Sequence, residues 1–186
     1  MPQTIDTETI LGAQAGRPDQ VVALYEHYYA GIFRYLYYRV GNTEIAEDLT
    51  SEVFVRMLRS LGSYRVQGSP APFQAWLFQI AHNLATDHYR RTSNYPQTAL
   101  TEELSADDPA PETRVERRLN QEHLQRALSQ LREDQRDVLI LRFIVGLPIA
   151  ETARTLHKSE DAVKGLQRRG LSALRENLSE LEDLLR

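Results

Sequence analysis

The chain contains no cysteine. Disulfides and thiolate metal sites are therefore excluded, and the composition fits a cytoplasmic protein. No apolar run approaches the roughly 20 residues needed to span a bilayer. The first residues lack the basic start and continuous apolar stretch of a secretory signal. Alternation of β-branched and polar residues is missing too, which removes the strand signal. The five histidines, at positions 27, 82, 88, 123 and 157, are scattered, and no His-Glu-x-x-His or comparable ligand spacing occurs. Asp87 and His88 are neighbours that would point about 100° apart on a helix, a poor arrangement for sharing a metal. Nothing here specifies a cofactor, a metal or a catalytic centre, so the expectation is not an enzyme. Basic charge is also scarce, with 22 Lys and Arg against 26 Asp and Glu, a net charge of −4. A protein that coats nucleic acid is usually basic, and this one would hold duplex DNA only weakly by bulk electrostatics.

What the chain does have is helical periodicity over most of its 186 residues. Apolar residues recur at spacings of three and four, and the expected fold is all-α, in two small helical domains. Residues 1–18 read as a polar, flexible N-terminus. From Asp19 to Arg39 a helix rich in aromatics lines up Leu24, Tyr28, Ile32, Tyr35 and Leu36, and Gly41-Asn42 stops it. Thr43 is the expected cap of the next helix, whose apolar face is Ala46, Leu49, Val53, Phe54, Met57 and Leu58. Residues 62–72, rich in Gly, Ser and Pro, form a loop. A third helix runs from Phe73 to Arg91 with Phe73, Trp76, Leu77, Ile80, Ala81 and Leu84 apolar. Phe73 and Trp76 are expected in the core rather than as stacking platforms.

Residues 92–114 differ in kind. They carry Pro96, Pro109 and Pro111 among Glu102, Glu103, Asp107, Asp108 and Glu112, and read as an acidic linker between domains 19–91 and 115–186. The second domain offers a helix using Leu119, Leu124, Ala127, Leu128 and Leu131, then one using Val138, Leu139, Leu141 and Ile144 that Gly146 ends. The last helix continues through Leu171, Leu174, Leu178, Leu181 and Leu185.

The segment from Gly146 to Arg175 is the most informative. It reads as a short helix, a tight polar turn and a longer helix, the outline of a helix-turn-helix whose second helix enters the DNA major groove. Val163, Leu166 and Leu174 face inward, and Gly170 offers room for close packing. Lys164 and Arg168 are four apart and share the outward face, flanked by Arg169. Gly165 leaves one edge of that face bare. Arg and Lys pair with guanine edges or with phosphates, and Ser159 is the expected N-cap.

Two stretches carry a wider resemblance. Residues 46–56, Ala-Glu-Asp-Leu-Thr-Ser-Glu-Val-Phe-Val-Arg, and residues 73–91, from Phe73-Gln74-Ala75-Trp76-Leu77 to Tyr89-Arg90-Arg91, resemble regions 2.2 to 2.4 of bacterial sigma factors. Leu131 to Arg175 resembles region 4. The order and size are similar to the extracytoplasmic-function (ECF) group, which keeps only regions 2 and 4. That resemblance implies a promoter-specificity subunit whose partners are core RNA polymerase and promoter DNA, with an anti-sigma factor common among relatives. It implies that Asp48, Ser51, Glu52, Phe54 and Leu58 dock on the clamp of the largest polymerase subunit. It implies that Asn83, Asp87, Arg90 and Arg91 meet the −10 element, melted, with a base flipped into a pocket between the 63–72 loop and the helix that follows. Lys164, Gly165, Arg168 and Arg169 fall on the positions that contact the −35 element. The family often has Gln at Ser51, and Ser-Arg-Leu where this chain has Gly165-Leu166-Gln167. An acidic protein then reads DNA because the polymerase supplies most of the affinity. A stand-alone regulator with a helical sensor domain would explain the C-terminal half but would leave Trp76 to Arg91 as coincidence.

Overall fold

The computed structural model describes residues 5–66, 72–92 and 111–184, with side chains described from 119 to 179 in the last stretch. Those residues contain helices and no strand. In order they are α1 Thr7–Gln14, α2 Pro18–Val40, α3 Thr43–Leu61, α4 Phe73–Thr92, α5 Pro111–Ser129, α6 Glu133–Leu139, a π-helical turn Ile140–Val145, α7 Ile149–Thr155 and α8 Glu160–Leu184. Residues 67–71, most of the acidic linker, and the side chains of Leu181 and Leu185 lie outside the described residues.

Helices α1–α4 form the N-terminal unit. Pro18 opens α2 where its missing N–H costs nothing. Gly41 closes it with φ 74°, and its N–H bonds back to the Tyr37 carbonyl at 2.8 Å. The predicted stripe Leu24, Tyr28, Ile32, Tyr35 and Leu36 is buried throughout. It meets Ala46, Val53, Phe54 and Met57 of α3, and Phe73, Leu77, Ala81 and Leu84 of α4. Phe73 is buried, and Trp76 is partly buried between Phe73 and Tyr64, with ring centroids at 5.3 and 4.9 Å.

Three local expectations are corrected. The N-terminus is helical from Thr7. Asp6 caps α1 by accepting from the Thr9 N–H at 2.8 Å, Ile10 and Ala13 are buried, and Gln14 donates to the carbonyls of Leu61 and Tyr64. The cap of α3 is Asn42 rather than Thr43, its side chain accepting from the Ile45 N–H at 2.9 Å. Leu58 is exposed, as is Leu171 on α8, so neither completes the apolar stripe assigned to it.

Helices α5–α8 form the C-terminal unit around Leu128, Val138, Ile140, Leu141, Leu147 and Val163. The π turn was not anticipated. It inserts between α6 and Gly146, whose φ of 89° ends it, and the Leu147 N–H reaches back to the Leu141 carbonyl at 2.8 Å. The two units are not strung out. Helix α7 packs on α4, the π turn packs on α2, and one continuous apolar core runs through both.

Candidate nucleic-acid interface

The helix-turn-helix has the predicted polarity. Ser159 caps α8, accepting from the Ala162 N–H at 3.1 Å. Inside the turn His157 holds φ at 51°, a left-handed conformation uncommon outside glycine. Val163 is fully buried on the inner face, and Leu166 and Leu174 pack partly buried against the core. Gly170 is buried, and a Cβ there would lie 3.2 Å from Leu139 Cγ and 3.3 Å from Gln135 Cβ. That glycine lets α8 seat against α6. Outward, Lys164, Arg168 and Arg169 are exposed. Lys164 pairs with Asp161 at 3.1 Å, and the Arg169 guanidinium lies over Gly165, 3.3 Å from where a Cβ would stand. Gly165 itself is half-buried. One tie was not foreseen: Arg142 of the π turn donates to Gln167 at 3.1 Å and to the Leu147 carbonyl, pinning the middle of α8 to the domain.

On α4 the structure brings together the second predicted set. Asn83, Asp87 and Arg90 stand at i, i+4 and i+7 and so share one stripe. Asn83, Arg90 and Arg91 are exposed and Asp87 is half-buried. Next to this stripe, one position back, run His82, Thr86 and Tyr89. His82 and Tyr89 meet Asp137 and Arg136 of the C-terminal unit and belong to a cluster that sequence reasoning missed.

At its centre is Arg39 of α2, 1% exposed. Its Nε lies 2.5 Å from Asp137 Oδ1 of α6, and its Nη2 pairs with Glu133. Tyr35 donates to Asp137 at 3.3 Å and sits 3.0 Å from His82 Nδ1, which is 3.5 Å from Asp137 Oδ2. Tyr89 donates to the Arg39 carbonyl at 2.5 Å, and its ring lies under the Arg39 guanidinium at 4.7 Å. Burial shifts His82 and Asp137 toward their neutral forms, holding His82 below the ordinary histidine value and pushing Asp137 above the carboxylate range. The only sequence sign of this cluster was an arginine at the last turn of an apolar helix, which reads equally well as a dipole partner.

The third set lies on α3. Asp48, Ser51 and Leu58 are exposed. Glu52 is half-buried and pairs with Arg56 at 2.8 Å. Phe54 is buried against the rings of Tyr25 and Tyr29, at 4.7 and 6.5 Å, so it supports this face from below. Among the described residues no group of three or more side chains is placed to hold a metal ion, and no helix is long and apolar enough to cross a membrane.

Two exposed cation-bearing helices on separate units, one of them a helix-turn-helix, match a known pair of protein modules. Residues 24–95 match the Sigma-70 region 2 family and residues 121–174 match Sigma-70 region 4. The chain is 34% identical over 168 residues to the ECF RNA polymerase sigma factor SigX of Bacillus subtilis, covering 87% of this chain and 85% of SigX. The chain belongs to the ECF sigma factors. It is also 41% identical over 169 residues to the ECF sigma factor BldN of Streptomyces coelicolor, spanning 90% of this chain but 63% of BldN. Its fold resembles that of CnrH, solved in complex with the cytosolic domain of CnrY, with a TM-score of 0.71 at 23% identity over 95% of this chain and 96% of that one. In the terms of this family α2–α4 are region 2 and α5–α8 are region 4.

Proposed function

We propose that this sigma factor directs core RNA polymerase to promoters by holding DNA at two places. Region 4 takes the −35 element as duplex, with α8 in the major groove. Lys164, Arg168 and Arg169 serve as contacts to bases and phosphates, and Gly165 as the point of close approach. Region 2 takes the −10 element as melted strand along Asn83, Asp87, Arg90 and Arg91. Asp48, Ser51, Glu52 and Leu58, over buried Phe54, form the face that docks on the polymerase clamp. An anti-sigma factor belongs among the partners. The place of action is the cytoplasm, and the role is an initiation factor that adds no catalytic group of its own.

The observation that supports this reading best is the division of α8. One side is sealed by Val163 and Gly170 against the domain, while three cations within six residues stand in solvent on the other. A structural hairpin needs the first property and has no use for the second. The experiment is run-off transcription with core polymerase on fragments carrying a −35 element. Arg168→Ala and Arg169→Ala should each lose about 1–3 kcal/mol of binding, roughly fivefold to a hundredfold in initiation at limiting protein. Binding to core polymerase should be unchanged. Full transcription in both variants would refute the assignment.

A further inference from the structure

On α4 two polar stripes lie side by side, and region 4 covers one of them. The open stripe is Asn83, Asp87 and Arg90. The covered one, about 100° round the helix, is His82, Thr86 and Tyr89, with Arg39 of α2 packed across Tyr89. The cover is incomplete in its bonding. Arg39 Nε is held by Asp137, but Arg39 Nη1 and Thr86 Oγ1 are buried without a hydrogen bond, and so, farther along the contact beside Tyr28, is Glu151 Oε2 on the region 4 side. Away from Arg39, a cleft of about 680 Å³ opens mainly in the N-terminal unit, lined by Tyr28, Phe73 and Phe78 among others, with Val145 and Glu151 of region 4 at its edge. Buried polar groups in a permanent core are nearly always bonded. This surface is satisfied only in part by what covers it.

The cover is also the wrong shape for the work. Elements centred near −35 and −10 are roughly 25 base pairs apart, about 85 Å of duplex at about 3.4 Å per pair. A folded chain of this length has a radius of gyration of about 16 Å. Units joined through a shared core cannot reach both elements, so promoter binding requires them to part. Parting removes Asp137 and Glu133 from Arg39. It leaves a guanidinium on an aromatic ring, next to the DNA-reading stripe and without its counter-charges.

We propose that Arg39 is a further contact to the backbone of the −10 strand, and that the Asp137 and Glu133 carboxylates mask it in the closed chain by occupying the place of a phosphate. A guanidinium fork donates to carboxylate and phosphate oxygens alike. Tyr89 orients the fork from beneath, and Asn83 and Arg90 lie one stripe away on the same helix. Region 4 thereby holds region 2 in a state of low DNA affinity until the units separate. The proposal rests on the assignment of α4 to the −10 strand.

The experiment uses the full-length chain and a fluorescein-labelled single strand of mixed sequence, about twelve nucleotides long. Binding is read by anisotropy across a salt series. Spin labels on α4 and α7 report the separation of the units. Asp137→Asn with Glu133→Gln should part the units and tighten binding about tenfold, with the salt slope steeper by about 0.7 for each phosphate newly neutralised. Adding Arg39→Gln should remove that gain and that slope, whereas Arg39→Lys should keep the slope. An opened chain that binds no better, or binds equally with and without Arg39, overturns the proposal. If Arg39→Gln loses its helical circular dichroism, phenylglyoxal modification of Arg39 in the opened, otherwise intact chain reads the same contact. Protection by the oligonucleotide supports the proposal, and unchanged modification overturns it. Asn83→Ala in run-off transcription tests the parent assignment separately. A loss there with no effect of Arg39 sinks the masked contact alone, and no loss there sinks the reading on which it stands.

Discussion

Two glycines five residues apart on α8 should respond to alanine with opposite signs. A helix-interior glycine costs about 0.8–1.0 kcal/mol relative to alanine. At Gly165 a new Cβ meets only the Arg169 guanidinium, 3.3 Å away at the far end of a flexible side chain. That end can swing clear, so the helix gain survives. Gly165→Ala should stabilise the chain by about 0.5–1 kcal/mol, a rise in Tm of roughly 2–4 °C for each kcal/mol at this size. At Gly170 the new Cβ meets Leu139 Cγ at 3.2 Å, Gln135 Cβ at 3.3 Å and Leu139 Cδ1 at 3.3 Å. Leu139 is 2% exposed and Gln135 Cβ is fixed to its backbone, so neither yields freely. Overpacking of this kind costs about 1–3 kcal/mol. After the helix gain is subtracted, Gly170→Ala should lose about 1 kcal/mol. Thermal unfolding followed by circular dichroism measures both. In run-off transcription Gly165→Ala should also initiate less well from a −35 promoter despite its higher Tm, because the added methyl moves Arg169 and fills the bare edge. Stability and activity would then part company, which misfolding cannot mimic. A Tm for Gly170→Ala as high as that of Gly165→Ala would refute the packing argument, and unimpaired initiation by Gly165→Ala would refute the close-approach argument.

Other outcomes follow from the same geometry. Asn83→Ala should lower open-complex yield, measured by permanganate reactivity, and should flatten the preference among −10 variants; equal yields across those variants would remove its role. Asn42→Ala should cost about 1 kcal/mol through loss of the α3 cap, read as a lower urea midpoint with unchanged slope. Lowering the pH from about 7.5 to about 5.5 should loosen the contact between the units through His82. The closed chain prefers the neutral ring, because burial holds its pKa below 6.5. The stabilisation is therefore whole above that value and declines as pH falls below it. Asp137, Arg39, Glu133 and His157 all face or influence that ring, and Asp137, raised by burial, acts in the opposite sense. His82→Gln is the control: interdomain distances by paired spin labels should then lose this part of their pH dependence, and an identical profile would reject the histidine as its source.

The long helices were legible because their signal is local. A stripe such as Leu24, Tyr28, Ile32, Tyr35 and Leu36 repeats at the helical period, and burying it is favourable whatever it packs against. Short-range chemistry was legible in part. Ser159 caps α8 as expected, but Asn42 rather than Thr43 caps α3, since adjacent residues of similar capping power are separated only by their backbone angles. Helix α1 escaped because its two buried apolar side chains, Ile10 and Ala13, are too few to set a period over eight residues. The π turn at Ile140–Val145 escaped because one extra residue in a helical turn changes no composition.

From its residues alone, the chain determined an all-α fold, the helix-turn-helix and the outward cations at 164, 168 and 169, and its resemblance to a family singled out Asn83, Asp87 and Arg90. Each of these depends on spacing along one helix. Only the tertiary structure decided that region 4 folds back onto region 2 and that Arg39, Tyr35, His82 and Asp137 meet in one buried cluster. Arg39 and Asp137 are 98 residues apart in the chain, and no periodicity links them. Their meeting depends on the packing of α7 on α4 and of the π turn on α2, and that packing is set by the shapes of two finished domains.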